Sequence, residues 1–163
     1  MNRDGSRGGA AAAVAARWIV GGLFIWMGWS KAADPVGFLK LLHQYHLTDV
    51  PLLLNLVAAA LPWFEMLCGW LLVLGVAVRG TAFLSVAMLV PFTILVVRRA
   101  LELHAGSALP FCAIKFDCGC GAGEVFICRK VAENVILTVL SLTLVFLRQH
   151  RFAMRPALIV GGR

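Results

Sequence analysis

Four of the chain's five cysteines fall in one short segment, at Cys112, Cys118, Cys120 and Cys128. A single glycine separates Cys118 from Cys120, so a disulfide between these two residues would close a very small and strained ring. A strained, exposed disulfide is more oxidising than a structural one, and it is therefore suited to exchange with another thiol pair. We predict thiol–disulfide exchange at Cys118 and Cys120, with Cys112 and Cys128 as a second pair.

A competing interpretation is that the four cysteines form two static disulfides that only stiffen the segment. Three connectivities are then possible, and the sequence does not choose among them. Zinc sites usually combine two pairs of cysteines, each pair being spaced by a few residues. The spacing here, Cys-x5-Cys-x-Cys-x7-Cys, fits that pattern poorly. We therefore predict no metal site, while static and redox-active disulfides both stay open.

Glu65 is an acidic residue in the middle of a long apolar stretch. A charged carboxylate at the centre of a bilayer costs roughly 3 kcal/mol on insertion scales, so Glu65 must pair, be protonated or line a polar cavity. Arg17 is the partner we predict for it. Pro62 is expected to kink the helix and open room beside Glu65, because proline has no amide hydrogen to donate. Glu65 is then either half of a structural ion pair, or a proton relay or quinone contact.

Two further charged residues lie close to the cysteine segment. Lys31 ends the first apolar stretch on the cysteine side, where it would either lower the pKa of a nearby thiol or extend to the lipid head groups. Glu133 and Asn134 follow the last cysteine and begin another apolar stretch. We expect these two neighbours to form a satisfied polar pair between helices.

The composition shows what kind of molecule must hold these residues. The 163 residues are 61% apolar and 14% charged, with a mean hydropathy of +0.88, against about 45–50% apolar and about 25% charged in soluble domains. The basic residues lie at the edges of apolar stretches rather than in one patch, as in membrane proteins. This excludes disorder and nucleic-acid binding, and predicts a single membrane domain over residues 1–163 with the lipid bilayer as its first partner.

The apolar stretches are long enough to cross a bilayer as helices, which need about 20 residues. We predict an all-α fold, a four-helix transmembrane bundle with a short interfacial amphipathic helix and a Cys-rich external loop. Apolar residues at helical spacing (Phe38, Leu41, Leu42 and Tyr45) mark the amphipathic helix. The predicted transmembrane helices cover about 10–30, 51–77, 80–102 and 127–148, the amphipathic helix about 37–47 and the Cys loop 103–126.

The orientation and the role of the first helix are less sharply determined. Basic residues divide almost evenly between the two sides, and the small excess favours cytoplasmic termini and a periplasmic Cys loop in a bacterial inner membrane. A second interpretation makes the first stretch a signal peptide with Ser30-Lys31-Ala32 as its cleavage site. A periplasmic loop suits the cysteines, because disulfides persist in oxidising compartments.

Taken together, these motifs resemble the DoxX-like and MauE group of small membrane proteins, the latter being methylamine utilisation proteins. The resemblance implies a redox-associated protein linked to the maturation of a disulfide-rich dehydrogenase. One departure is that Gly121 and Ala122 follow Cys120, whereas MauE-like loops typically read Cys-Gly-Cys-Phe-Gly and so carry an aromatic residue beside the cysteines. The matching residues are Arg17, Gly22, Gly28 and Lys31, then Phe38 and Tyr45, then Leu61-Pro62-Trp63-Phe64-Glu65 and Gly69, and finally Asp117-Cys118-Gly119-Cys120-Gly121.

Two functions follow as hypotheses. The first is thiol–disulfide exchange with, or maturation of, a periplasmic thiol or disulfide protein through the Cys-Gly-Cys segment. No cofactor is fixed by the sequence; a quinone is the candidate electron acceptor, by analogy with other membrane thiol oxidases. The second is a non-catalytic accessory subunit of a larger membrane electron-transfer complex. Whether the chain is an enzyme is therefore left open.

Overall fold

The computed structural model describes residues 3–45, 50–106, 109–117 and 123–147, with side chains from residue 11 onward. The described chain is mainly helical, with a short 3-10 turn at Phe111–Ala113 and two strands, β1 (Lys115–Asp117) and β2 (Glu124–Phe126). The helices are α1 (Arg3–Ala33), α2 (Pro35–Gln44), α3 (Pro51–Leu74), α4 (Val78–Ala105) and α5 (Ile127–Phe146).

Three helices among the described residues are long and apolar enough to cross a membrane: Ala11–Ala33 within α1, α3 and α4. Helix α5 has 20 residues, but charged Arg129, Lys130 and Glu133 occupy its first two turns. It packs along α4 and also contacts α1. The fold is therefore a helical membrane fold with three candidate spans, and the fourth predicted span stays a prediction.

The outer surface of the spanning helices is apolar, as expected for side chains that face lipid. Trp18, Trp26, Trp63 and Phe83 are each more than 60% exposed. The core between the helices instead holds buried polar side chains, among them Ser85 on α4. The chain thus places aromatic residues outside and charged or polar groups inside, which is the reverse of a soluble bundle.

Helices α1 and α3 pack most closely, because glycines lie at their contact. A Cβ atom added to Gly21 would lie 2.7 Å from the carbonyl oxygen of Gly69, and one added to Gly69 would lie 2.6 Å from that of Gly21. Small residues that let two backbones approach are the usual way for membrane helices to associate without a hydrophobic driving force. This close antiparallel contact fixes which residues of α1 and α3 face each other.

Helix α2 is the short amphipathic helix, at Pro35–Gln44 rather than about 37–47. Asp34 caps its first turn by accepting a hydrogen bond from the Gly37 amide at 2.9 Å, and Pro35 occupies a helix start, where its missing amide hydrogen is not needed. Phe38 and Leu42 pack against Leu54 of α3. Residues 46 and 47 of the predicted helix lie outside the described residues.

The predicted Cys loop contains a β-hairpin that the sequence did not indicate. Strands β1 and β2 pair antiparallel, with Asp117 opposite Glu124, so the hairpin turn carries the Cys-Gly-Cys segment. Ile114 and Phe116 are buried in the main core, which holds the hairpin against the helices. Strands of three residues are too short for an alternating pattern to be recognised in the sequence.

Candidate functional site

Glu65 is paired with Lys31, not with Arg17 as the sequence suggested. The Lys31 Nζ atom donates to both carboxylate oxygens of Glu65 at 2.6 Å, and the two side chains are only 3% and 11% exposed. Two buried charges cost several kcal/mol each to remove from water, and excellent geometry is needed to recover that cost. In this pair the charge of Lys31 on α1 and the charge of Glu65 on α3 neutralise one another.

The Lys31 ammonium group is further enclosed by two aromatic rings. Its Nζ atom lies 5.6 Å from the ring centre of Phe38 on α2 and 5.7 Å from that of Phe92 on α4. Both distances are within the range of a cation–π attraction. Lys31 thus joins four helices at one point, and the expectation that it extends to the lipid head groups is wrong.

Arg17 lies near the middle of α1 and caps the C-terminal end of α3. Its Nε atom donates to the Leu72 carbonyl at 3.0 Å, and its Nη2 atom donates to the Val73 carbonyl at 3.3 Å. Because α1 and α3 are antiparallel, Arg17 is level with Val73, and the eight residues from Glu65 to Val73 span about 12 Å at about 1.5 Å per residue. Arg17 therefore adds side-chain donors to carbonyls of the last turn of α3, where the Leu72 carbonyl also accepts from the Gly75 amide at 3.1 Å.

The arginine cap can form only if residue 75 has no side chain, and this requirement can be tested. Gly75 has a φ of 77°, and a Cβ atom there would collide with the Arg17 guanidinium. We expect Gly75→Ala to lower the free energy of unfolding by about 1–3 kcal/mol, because it adds left-handed strain to the loss of the cap.

This effect can be measured by unfolding the protein in mixed micelles with increasing dodecyl sulfate. Gly80→Ala is the matched control, since a Cβ atom at Gly80 meets nothing within 4 Å. Equal stability of the two variants would contradict the proposed role of Gly75.

Glu133 and Asn134 do not form the polar pair expected of them. Glu133 accepts from Arg129 Nε at 3.0 Å and lies 3.8 Å from Lys130 Nζ, on a half-exposed face of α5. Asn134 is instead 1% exposed, and its Nδ2 atom has no hydrogen-bond partner among the described residues. Consecutive helix positions point in different directions, about 100° apart at about 3.6 residues per turn.

Cys112 and Cys128 form a disulfide that joins the 3-10 turn to the first turn of α5, with their Cα atoms 5.1 Å apart. The bond closes the base of the hairpin, where the Ile127 amide also donates to the Ile114 carbonyl at 3.2 Å. Cys68, the fifth cysteine, is a free thiol buried in the core. This bond excludes the two connectivities in which Cys112 or Cys128 pairs with Cys118 or Cys120.

Cys118 and Cys120 themselves lie outside the described residues. The residues on either side of their segment, Asp117 and Gly123, line a small cavity of about 170 Å³ together with Lys31 and Asp34. The base of the hairpin turn therefore lies beside the buried ion pair. Whether Lys31 lowers the pKa of a loop thiol stays a prediction.

A second cavity, of about 280 Å³, lies beside the same ion pair between α2, α3 and α4. Glu65 and Tyr45 bring the only ionisable side chains to an otherwise apolar lining of described residues. The Tyr45 hydroxyl is buried and has no hydrogen-bond partner in the described part of the chain. Burial raises the pKa of Tyr45 to about 12, the charge of Asp117 adding to this shift and that of Arg99 opposing it. Tyr45 is therefore a neutral hydrogen-bond donor at physiological pH.

Comparison with known proteins places this arrangement in a family. The sequence model of the methylamine utilisation protein MauE matches residues 9–147, which include most of α1, the whole of α2 to α5 and both hairpin strands. The chain belongs to the MauE family. No curated protein and no solved structure matches the chain. The match confirms the MauE part of the resemblance, whereas the DoxX-like part stays a prediction. Together with the three apolar helices, the match identifies this chain as a multi-pass membrane protein.

Within this MauE-family chain, sequence reasoning found the charged residues but missed what surrounds them. Phe92 and the aromatic contact of Phe38 with Lys31 were not anticipated, because an aromatic residue in an apolar stretch gives no sign that a cation lies beside it. Tyr45 was assigned only to the apolar face of the amphipathic helix. It is the chain's only tyrosine. A hydroxyl group on the apolar face of a predicted helix was the available sign of a polar group in the interior.

Proposed function

We propose that this MauE-family protein carries out thiol–disulfide exchange with a periplasmic partner through Cys118 and Cys120. The observation that carries the proposal is the Cys112–Cys128 disulfide at the base of the hairpin. Disulfides persist in oxidising compartments, so this bond supports a periplasmic hairpin and cytoplasmic termini in a bacterial inner membrane. The hairpin turn then presents two neighbouring cysteines to that compartment.

The proposed step is a two-electron exchange. A thiolate of the partner attacks the Cys118–Cys120 disulfide and forms a mixed disulfide, with one loop cysteine leaving as a thiolate. The partner's second thiolate then attacks the mixed disulfide, so that the partner leaves with a disulfide and both loop cysteines are reduced. The Cys112–Cys128 disulfide can take these two electrons in turn, and a membrane quinone is the acceptor that we assign to the final reoxidation.

The decisive experiment is to trap the mixed disulfide in native membranes. Variants with one loop cysteine, Cys118→Ser and Cys120→Ser, should each be analysed on non-reducing gels after the thiols are blocked. We expect the remaining loop thiolate of at least one variant to attack the disulfide of an oxidised periplasmic partner, so that one partner sulfur leaves as a thiolate and a mixed disulfide forms. This adduct should disappear on reduction, and it accumulates because no neighbouring loop thiol is left to displace the partner.

The double variant Cys118→Ser/Cys120→Ser is the matched control, and it should give no adduct although Cys68 is unchanged. The absence of an adduct in both single variants would contradict exchange.

The second candidate function, an accessory subunit, is favoured by one feature of α3. The outward face of this helix has an open apolar groove of about 530 Å³, lined by Leu56, Trp63, Phe64 and Leu67 among others. A groove of this kind can receive a helix of a larger membrane complex. In that case the double cysteine variant would still assemble with the complex and leave its activity unchanged.

A further inference from the structure

The cavity beside Glu65 has the size and lining of a site for one small apolar ring. Ligand sites usually have volumes of about 300–1,000 Å³ and are mainly apolar with a few polar groups. The 280 Å³ cavity lies at the lower end of this range, and Phe38, Leu61, Met88 and Leu95 are among its apolar lining residues. Ala87 of α4, which also lines it, is exposed on the lipid-facing surface.

Polar groups lie at several points of this apolar lining. The Tyr45 hydroxyl is a buried donor without a partner among the described residues. Pro91 has no amide hydrogen, so the Ala87 carbonyl four residues earlier lacks its helical donor and is available as an acceptor. Glu65 adds a carboxylate that is already neutralised by Lys31. A flat apolar ring with an oxygen that accepts from the tyrosine and, in its reduced form, a hydroxyl that donates to the free carbonyl would satisfy both groups.

The cavity is also close to the cysteine hairpin. Phe38 and Leu41 line both this cavity and the smaller polar cavity that contains Asp117. The charge of Asp117 acts on the Tyr45 hydroxyl, which indicates that the residue preceding the Cys-Gly-Cys segment lies near the Tyr45 side of the cavity. A ring bound there would lie between the lipid and the hairpin.

We propose that this cavity binds the ring of a lipid-soluble quinone, with the Tyr45 hydroxyl donating to one ring carbonyl. The inference rests on the proposed function, because it names the acceptor that reoxidises the loop cysteines. Two thiols and one quinone give one disulfide and one quinol, so the two electrons and two protons lost by the thiols are taken up at the two quinone oxygens. The Ala87 carbonyl then accepts a hydrogen bond from a hydroxyl of the quinol.

The test uses the full chain in quinone-free nanodiscs with a photoreactive azido derivative of decylubiquinone. We expect labelling of α2, α3 or α4 at the cavity, and competition by unmodified decylubiquinone. Ala87→Trp should abolish the labelling by filling the cavity from its exposed side. Tyr45→Phe should weaken competition by decylubiquinone roughly two- to tenfold, the range that corresponds to one hydrogen bond.

Ala59→Trp is the matched control, because Ala59 is exposed on α3 and lines none of the cavities described above. It should leave labelling unchanged. Labelling that survives Ala87→Trp, or that 1-decanol displaces as well as decylubiquinone does, would overturn the proposal and leave only lipid chains in the cavity.

The two proposals can fail separately. The Cys118→Ser/Cys120→Ser variant should still be labelled, since it keeps the whole cavity. Cavity labelling without any trapped mixed disulfide would reject the exchange function but keep the quinone site. A trapped mixed disulfide together with labelling that is insensitive to Ala87→Trp would keep the exchange function and reject the quinone site.

Discussion

Replacing either member of the Lys31–Glu65 pair with alanine is expected to lower the free energy of unfolding by about 3–5 kcal/mol. Each single variant leaves a buried charge without its partner, at a position where the side chains are 3% and 11% exposed. The double variant Lys31→Met/Glu65→Met should recover most of that loss, because two apolar side chains of similar length need no neutralisation. Unfolding by dodecyl sulfate in mixed micelles, followed by circular dichroism, measures both effects.

The exposed Arg129–Glu133 pair provides the control for this prediction. Its members are 75% and 46% exposed, and solvent-exposed pairs contribute only about 0–1 kcal/mol. Arg129→Ala should therefore change stability by less than about 1 kcal/mol. If Lys31→Ala cost no more than Arg129→Ala, the buried pair would not be holding the helices together.

The second large effect is expected when one of the two cysteine pairs is replaced with serine and the other is kept. Serine at both Cys118 and Cys120 should reduce quinone-dependent oxidation of dithiothreitol to the rate without protein, because no exchanging sulfur is left at the hairpin turn. The stability of that variant should stay close to that of the unchanged chain. Serine at both Cys112 and Cys128 should instead lower the free energy of unfolding by about 3 kcal/mol, since their bond closes a loop with a separation of 16 residues.

The Cys112→Ser/Cys128→Ser variant also tests the assignment of that bond as the second redox pair. We expect the folded fraction of this variant to form the mixed disulfide and to oxidise one dithiothreitol molecule. It should not oxidise further molecules, because the second cysteine pair that takes up the electrons is missing. Turnover at the full rate in this variant would show that the Cys112–Cys128 disulfide only stabilises the hairpin and carries no electrons. Full turnover in the Cys118→Ser/Cys120→Ser variant would contradict the proposed exchange site itself.

The long elements could be anticipated because their signal is local. Residues 51–74 form a long, mainly apolar stretch. Helix α3 therefore begins at Pro51, which suits a helix start, and is capped by Gly75, because glycine readily adopts a left-handed φ. Helix α2 was recognisable from the spacing of its apolar residues between two prolines. The hairpin was missed because three-residue strands carry no period, and α5 is ambiguous as a span because its charges fall in the first two turns.

Partners of charged residues could not be anticipated in the same way. Arg17 was the partner predicted for Glu65, while Lys31 was assigned to a loop thiol or to the lipid head groups. The antiparallel contact of α1 and α3, fixed by Gly21 and Gly69, places Lys31 beside Glu65 and Arg17 at the far end. The sequence gives the positions of these residues along each helix, but the distance between two side chains on different helices also depends on the register of the helices.

The amino-acid sequence by itself determined that this is a membrane protein, where its three long apolar helices lie, and that four of its five cysteines fall in one segment. These properties follow from composition and from local hydrogen bonding, which each helix satisfies within itself. The tertiary structure alone decided that Lys31 neutralises Glu65, that Cys112 is bonded to Cys128, and that a cavity with Tyr45 lies next to the hairpin. Those features depend on the register between helices, which is set by the shape of their contacts rather than by any one stretch of residues.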